Sequence, residues 1–533
     1  MPPAARHALP LLLLAGLLLG AVEARADSPG ALAAEAAYQK GFALQSGMRT
    51  LEALAAYQEA LRLNPFHGKA NYEIGWSYWV LRDYEQVLRH WEVALRLKGG
   101  PPELPDFLAM ARERLDGKAP DLVQVSIGTR AVEQGGSGLS LELVARFQHY
   151  NPKPAHPADR FDRHVFSPKS VLFSASGGAV YVNALEGLTT LIYDPATLRK
   201  RRVIHHRFDA AEAGLFDPAA DQRYFAPYAA FGLPAQPNRF QGKPVEAAFS
   251  NGGRYLWISY YRRSYDKLGR LPSALAVVDA RTGRIVRVLP TGPIPKTLAV
   301  SPDGMLLAAV HWGDNTVGLV DTAADNPQGF RHLGEIVVGK RLPLHMDENV
   351  NRDHYCGFCL RGAVFTRDGR HLLVGRMGGG GIAVLDVAGR RHVGSVWGMK
   401  PTPRHLLLSP DGKRLFVSSS ASGYVSVYRT AQLVDAALAG RRSLKPLLQA
   451  KVGRGARTIA ITPDGRTLFV AVNRDSKVVA LDTDGLQPRL EIPADSFPVG
   501  LAVSPDGTQL WVTSQGIKLR GGNSVSVYRI SGR

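Results

Sequence analysis

The chain has 533 residues, 45% apolar and 21% charged, a length that implies more than one globular unit and a balance that excludes a disordered chain. Sixty-five Lys+Arg against 46 Asp+Glu give a formal charge of +19, which favours polyanionic over polycationic partners and permits only unspecific contact with nucleic acid. Fifty-five Gly, 35 Pro and two Cys point to a turn-rich, mainly β protein and rule out collagen, a coiled coil, a disulfide-stapled scaffold and a polytopic membrane protein.

Residues 1–26 read as a secretory signal peptide. A basic start (Arg6, His7) precedes an apolar run from Ala8 to Val22 and then Ala24-Arg25-Ala26, the order of an A-x-A cleavage signal. Pro10 interrupts the run, which is short for a bilayer span. The expectation is a periplasmic or secreted protein, cleaved after Ala26 and without integral membrane contact; a retained N-terminal anchor is the alternative.

Residues 27–117 carry Ala, Leu, Glu and Arg with helical spacing of the apolar positions. Gly41, Ala53, Tyr57 and Ala60 recur 34 residues later as Gly75, Val87, Trp91 and Ala94. Small residues at such positions let two antiparallel helices approach, and the aromatic fills the gap to the next pair. The 34-residue self-similarity resembles the tetratricopeptide repeat family. Two units and a capping helix around Phe107 to Leu115 are covered; Lys40, Leu44 and Gly99 depart from the family's pattern. The resemblance implies a groove for a partner peptide, and the alternative is a helical cap that leans on the larger domain.

Residues 118–164 are expected to be a linker holding one or more closing strands, and residues 165–533 a repeated β unit. Its marks are Ser301-Pro-Asp-Gly304, Ser409-Pro-Asp-Gly412, Thr462-Pro-Asp-Gly465 and Ser504-Pro-Asp-Gly507, with Thr366-Arg-Asp-Gly369 a looser copy. This is tight-turn chemistry between two short apolar runs. A third run ends near Asp194, Asp279, Asp321, Asp386 or Asp482, and a weaker fourth follows. Four short strands cannot bury their faces alone, and radial stacking solves that. Seven units begin near residues 169, 245, 296, 361, 404, 457 and 498. The last lacks a fourth strand, which Leu122–Ser126 or Leu139–Phe147 could supply from earlier in the chain. The pattern resembles the YVTN-type β-propeller repeat family. The fold class expected is therefore mainly β, a seven-bladed propeller preceded by a small α-helical module. That likeness speaks for fold and is nearly silent on function.

Strand alternation puts the Ser-Pro-Asp-Gly turns on one face and the unusual loops on the other. Five residues before the Ser or Thr of each turn stand Lys169, Val245, Lys296, Arg361, Arg404, Arg457 and Val499. Five of the seven are cationic and begin the innermost strand, so an anion at the channel mouth would relieve their repulsion. The alternative is that each side chain bonds carbonyls of the next blade. Tyr260, Arg262, His311, Asp314 and Arg376 are placed at the same mouth as ligand contacts. Cys356 and Cys359, in His354-Tyr-Cys-Gly-Phe-Cys359, have three readings: a disulfide, a transition-metal site with His354 and either His345 or Asp353, or a cycling thiol pair. Covalent haem is excluded by Leu360 after the second Cys. Gly378 to Gly381 reads as a tight turn, and in His205-His206 the two rings should point to opposite faces of a strand.

No catalytic signature is present. The leading expectation is a non-enzymatic binding or scaffold protein whose loop face takes an anionic small molecule, an anionic polymer or a partner protein. A lactonase-like or isomerase-like enzyme using His311, Asp314 or Glu186 is the second reading, and a metal or thiol-redox protein the third.

Overall fold

The structure, a computed structural model, describes residues 29–46, 50–81, 83–115, 127–134, 138–154, 156–208, 210–216, 242–263, 268–343, 350–516 and 522–532. The signal-peptide reading, the strand expected at Leu122–Ser126 and the candidate ligand His345 lie outside the described residues. The chain divides into two compact units, Met1–Leu115 and Asp116–Arg533. Among the described residues no helix is long and apolar enough to cross a membrane.

The first unit is helical: α1 (Pro29–Ser46), α2 (Thr50–Leu63), α3 (Gly68–Leu81), α4 (Tyr84–Arg96) and α5 (Leu104–Leu115). The 34-residue spacing acts through backbone approach. A Cβ on Gly41 would stand 2.6 Å from the Tyr57 ring, and one on Gly75 2.2 Å from Trp91. Each glycine thus seats a fully buried aromatic between consecutive helices. Gly99 has a parallel reason, since a Cβ there would fall 2.1 Å from the Gly68 backbone. Neither a side chain nor a proline ring fits that crossing.

The second unit is the expected seven-bladed propeller. Blade 1 runs Pro168–Phe173, Val180–Ala184, Thr189–Asp194 and Arg199–His205, and five further four-stranded antiparallel sheets follow in the same order. Their innermost strands are Gly242–Ser250, Pro295–Val300, Leu360–Phe365, Pro403–Leu408 and Ala456–Ile461. Blade 7 takes three strands from Pro498–Val503, Gln509–Ser514 and Ser524–Ser531 and its fourth from Ser140–Gln148, on which the short strands Arg130–Val132 and Asp159–Phe161 also pair. The later of the two segments read as closing strands therefore closes the ring. The apolar cores lie between neighbouring blades, as in the cluster of Ala308, Val310 and Leu319 with Leu372, Val374 and Leu385. Inserted after the third strand of blade 5, α6 (Thr430–Leu438) packs Leu433, Val434 and Ala437 into the core shared with blade 4.

The turn motif explains itself. Ser301 Oγ donates to Asp303 Oδ1 at 2.5 Å and accepts from the Leu306 N–H at 2.9 Å, while Gly304 closes the turn at φ +75°. The same Ser/Thr–Asp bond recurs at Thr366, Ser409, Thr462 and Ser504. One hydroxyl thus ties the end of the first strand to the start of the second, and the left-handed Gly is the residue that turn permits.

Candidate anion-binding site

Each innermost strand slips in register close to its start. The slips fall between Pro168 and Val171, around Pro244, between Pro295 and Thr297, Leu360 and Ala363, Pro403 and His405, Ala456 and Ile459, and Pro498 and Gly500. The residues skipped include Lys169, Lys296, Arg361, Arg404, Arg457 and Val499. A β-bulge releases a residue from the ladder and re-aims its side chain. Repeated around a ring, it gathers residues far apart in sequence at one end of the axis.

The cations do converge. Lys169, Arg361 and Arg404 line an axial cavity of about 460 Å³. Arg457 stands within electrostatic reach of Lys169 and Arg404, and Lys296 within reach of Lys169, Arg361 and Arg404. Burial and mutual repulsion push Lys169, Lys296 and Arg404 well below their ordinary pKa, and burial brings Arg457 down to about 9. Two carboxylates answer them among the described residues. Glu246 lies 3.4 Å from Arg361 and lines the cavity, and Asp353 lies 3.4 Å from Lys296. Burial raises the pKa of both despite the cations around them. Five cationic side chains thus share one channel mouth with two carboxylates among the described residues.

The remaining contacts are soft. Lys169 Nζ donates to Gln515 Oε1 at 3.1 Å, Lys296 Nζ sits 3.8 Å from the Tyr261 ring centre, and Arg404 reaches Met377 Sδ at 3.7 Å. Among the described residues none of these five side chains bonds a carbonyl of the next blade, which is the bonding the structural alternative requires. His405, also lining the cavity, is held down to about 4 by burial and by Arg361 and Arg404, so it stays neutral near pH 7.

Other expected site residues lie elsewhere. Tyr260 is fully buried with His206 Nδ1 2.9 Å from its hydroxyl, and it packs the base of blade 2. Burial of His206 beside an exposed His205 bears out their opposite facing. His311 is buried between the hydroxyls of Thr291 and Thr316, 2.7 Å from each, and burial lowers its pKa to about 3. Asp314 accepts from the Thr316 hydroxyl at 2.7 Å and burial lifts it to about 6. This Asp–Thr–His–Thr chain fastens blade 3 to the outer strand of blade 2 and lines no part of the axial cavity. Glu186 pairs with Lys243 at 3.0 Å. Arg262 does belong to the mouth, within electrostatic reach of Lys296. Arg376 does not; it lines a separate cleft outside blade 4.

Cys356 and Cys359 are bonded to each other. In that state neither sulfur is a thiolate, so a metal at Cys356, Cys359 and His354 lacks two of its three donors. Among the described residues no three His, Cys, Asp or Glu side chains group in a way that could hold a metal ion.

Sequence reasoning missed Glu246 and His405, read Asp353 only as a possible metal donor, and chose Tyr260 where Tyr261 is the ring that meets Lys296. Glu246 was within view, as a lone charge in the apolar strand Val245-Glu-Ala-Ala-Phe249. Val245 is the residue that the Pro244–Glu246 slip skips, and Glu246 stands one position further on, where Thr297, His405 and Thr458 of other blades also line the cavity.

No protein-family model matches the chain, and no curated protein matches it. Among solved structures, the β-propeller domain of Myceliophteria thermophila Cps50 (Swd1) is similar at 14% identity and a TM-score of 0.48, covering 69% of this chain and 97% of that one. Hydrazine synthase of Kuenenia stuttgartiensis is similar at 16% identity and a TM-score of 0.47, covering 69% of this chain and 96% of that one.

Proposed function

We propose that the propeller is a non-enzymatic binding module that takes a small anion, carrying two or more negative charges, at the mouth of its axial channel. The observation that carries this reading is the cluster of cations that five blades bring to one channel mouth, three of them lining a cavity of about 460 Å³. Like charges at such a mouth raise the free energy of the empty protein, and a polyanion relieves it. The cavity is of the size that encloses a small molecule rather than a polymer.

The wider setting is part of the same proposal. The propeller repeats are of YVTN type, the helical unit is tetratricopeptide-like and offers a second surface to a partner protein, and the protein is exported and cleaved after Ala26. The Cys356–Cys359 bridge supports export, because disulfides persist in oxidising compartments. Mass spectrometry of the mature chain from fractionated cells tests that placement.

The binding reading is tested by melting the protein with a panel of sulfate, phosphate, succinate and citrate at matched ionic strength. The wild type should be stabilised in a saturable manner, and Arg361→Gln/Arg404→Gln/Arg457→Gln should lose the response. Equal shifts in both proteins, or shifts that follow ionic strength alone, would refute it.

A further inference from the structure

A second cleft lies at the loop-rich end of blade 4, away from the axis. Its volume is about 350 Å³, and Phe358, Arg376, His392, Trp397, Leu438 and Arg442 are among the residues that line it. Its construction unites two motifs that the sequence leaves separate, the Cys-x-x-Cys loop and the glycine run. A Cβ on Gly378 would fall 2.6 Å from Cys359 Sγ, and one on Gly379 2.6 Å from the Phe358 ring. The glycines let the disulfide loop lie flat on blade 4, and the loop sets the Phe358 ring 4.0 Å from the Arg376 guanidinium carbon. Trp397 flanks the same guanidinium at 5.2 Å.

Arg376 is only 5% exposed, and its Nε has no hydrogen-bond partner among the described residues. Among the described residues no carboxylate lines the cleft, and its titratable members are Arg376, Arg442 and His392. His392 Nε2 lies 2.9 Å from Ser395 Oγ, and burial with Arg376 nearby lowers its pKa, which favours the neutral ring. A buried guanidinium without a counter-charge is costly, so a carboxylate that reaches it gains a strong charge-assisted bond. Alongside it Trp397 and Leu438, 37% and 53% exposed, offer apolar surface to solvent. Cation, flat aromatic walls and an apolar rim select one ligand chemistry.

We infer that this cleft is a second binding site, distinct from the axial channel, for a flat aromatic monocarboxylate. The carboxylate pairs with Arg376, and the ring lies against Trp397 and Leu438. A volume of 350 Å³ suits a ligand of one or two fused rings.

The test is calorimetric titration of the full chain with 2-naphthoate and its neutral amide. The naphthoate should bind at least about tenfold more tightly than the amide, at a Kd of about 1 mM or lower. Arg376→Met should weaken it at least about tenfold, and Trp397→Ala, at a partly exposed position that tolerates truncation, about fivefold. The channel variant Arg361→Gln/Arg404→Gln/Arg457→Gln should leave it unchanged, so this site and the channel reading fail or stand independently. Equal binding of naphthoate and amide, an affinity indifferent to Trp397→Ala, loss of binding in the channel variant, or no binding at all would each overturn the proposal.

Discussion

Replacing Arg457 by Met should stabilise the protein without ligand and weaken its grip on anions. Arg457 is 5% exposed and burial holds it at about 9, well below the range of a free guanidinium. Charge at this place therefore opposes folding by up to about 5 kcal/mol at neutral pH. Met keeps the length of the stem but loses the contact with the Phe497 ring, 5.7 Å from the guanidinium carbon. That loss and imperfect repacking offset about 1–3 kcal/mol, leaving a net gain of about 2 kcal/mol. A propeller of about 370 residues changes its unfolding free energy by about 0.8 kcal/mol per degree near Tm, so the variant should melt about 2–3 °C higher. The sign has a pH signature. A cation with a depressed folded pKa costs its full amount below that pKa, and the cost fades as pH rises through about 9 towards the pKa of a free guanidinium. The gap between variant and wild type should thus narrow above pH 9. Scanning calorimetry with and without sulfate measures both effects. A lower Tm together with an unchanged sulfate response would refute the reasoning and make Arg457 a structural tie.

Three other outcomes are expected. Sulfate keeps its charge across the range, so its affinity should fall several-fold from pH 7 to pH 9.5 as Lys169, Lys296 and Arg457 lose protons earlier than free side chains do; calorimetry at matched ionic strength reads this. His311→Ala should cost about 3 kcal/mol in urea unfolding, since it leaves a cavity and strands the buried Thr291 hydroxyl, while sulfate affinity stays the same; lost binding at full stability would return His311 to the site. Gly378→Ala should cost about 2 kcal/mol and weaken 2-naphthoate several-fold while sparing sulfate, because the added methyl pushes on Cys359 and so on Phe358. Melting curves and paired titrations check it.

The architecture was legible because each blade repeats a local instruction. Ser301, Asp303 and Gly304 are all consumed by one turn, and the same three chemistries return in later blades. The cationic ring was legible for a related reason. A count from that turn lands on a residue skipped by the ladder in every blade, whether it is Lys169 or the apolar Val245 and Val499. The count does not reach the next position, where Glu246 places a carboxylate among the cations. His311 and Asp314 looked like chemistry because polar residues in a loop commonly face solvent; here paired threonines satisfy them inside the wall, and spacing alone does not reveal that. Arg376 was placed at the right end of the propeller and at the wrong radius. It ends a second strand rather than an innermost one, which carries it outward from the axis.

The joining of Ser140–Gln148 to Ser524–Ser531 has a bearing on how the molecule is made and how it fails. Six blades can hairpin together from neighbouring sequence as the chain emerges, but the seventh waits for a partner synthesised nearly four hundred residues later. Until that moment the growing arc carries two raw sheet edges, each able to recruit a stranger. Once zipped, the circle has no seam held by a peptide bond. Cutting any single connection between blades should leave both fragments in place, whereas trimming the last strand should open the whole circle.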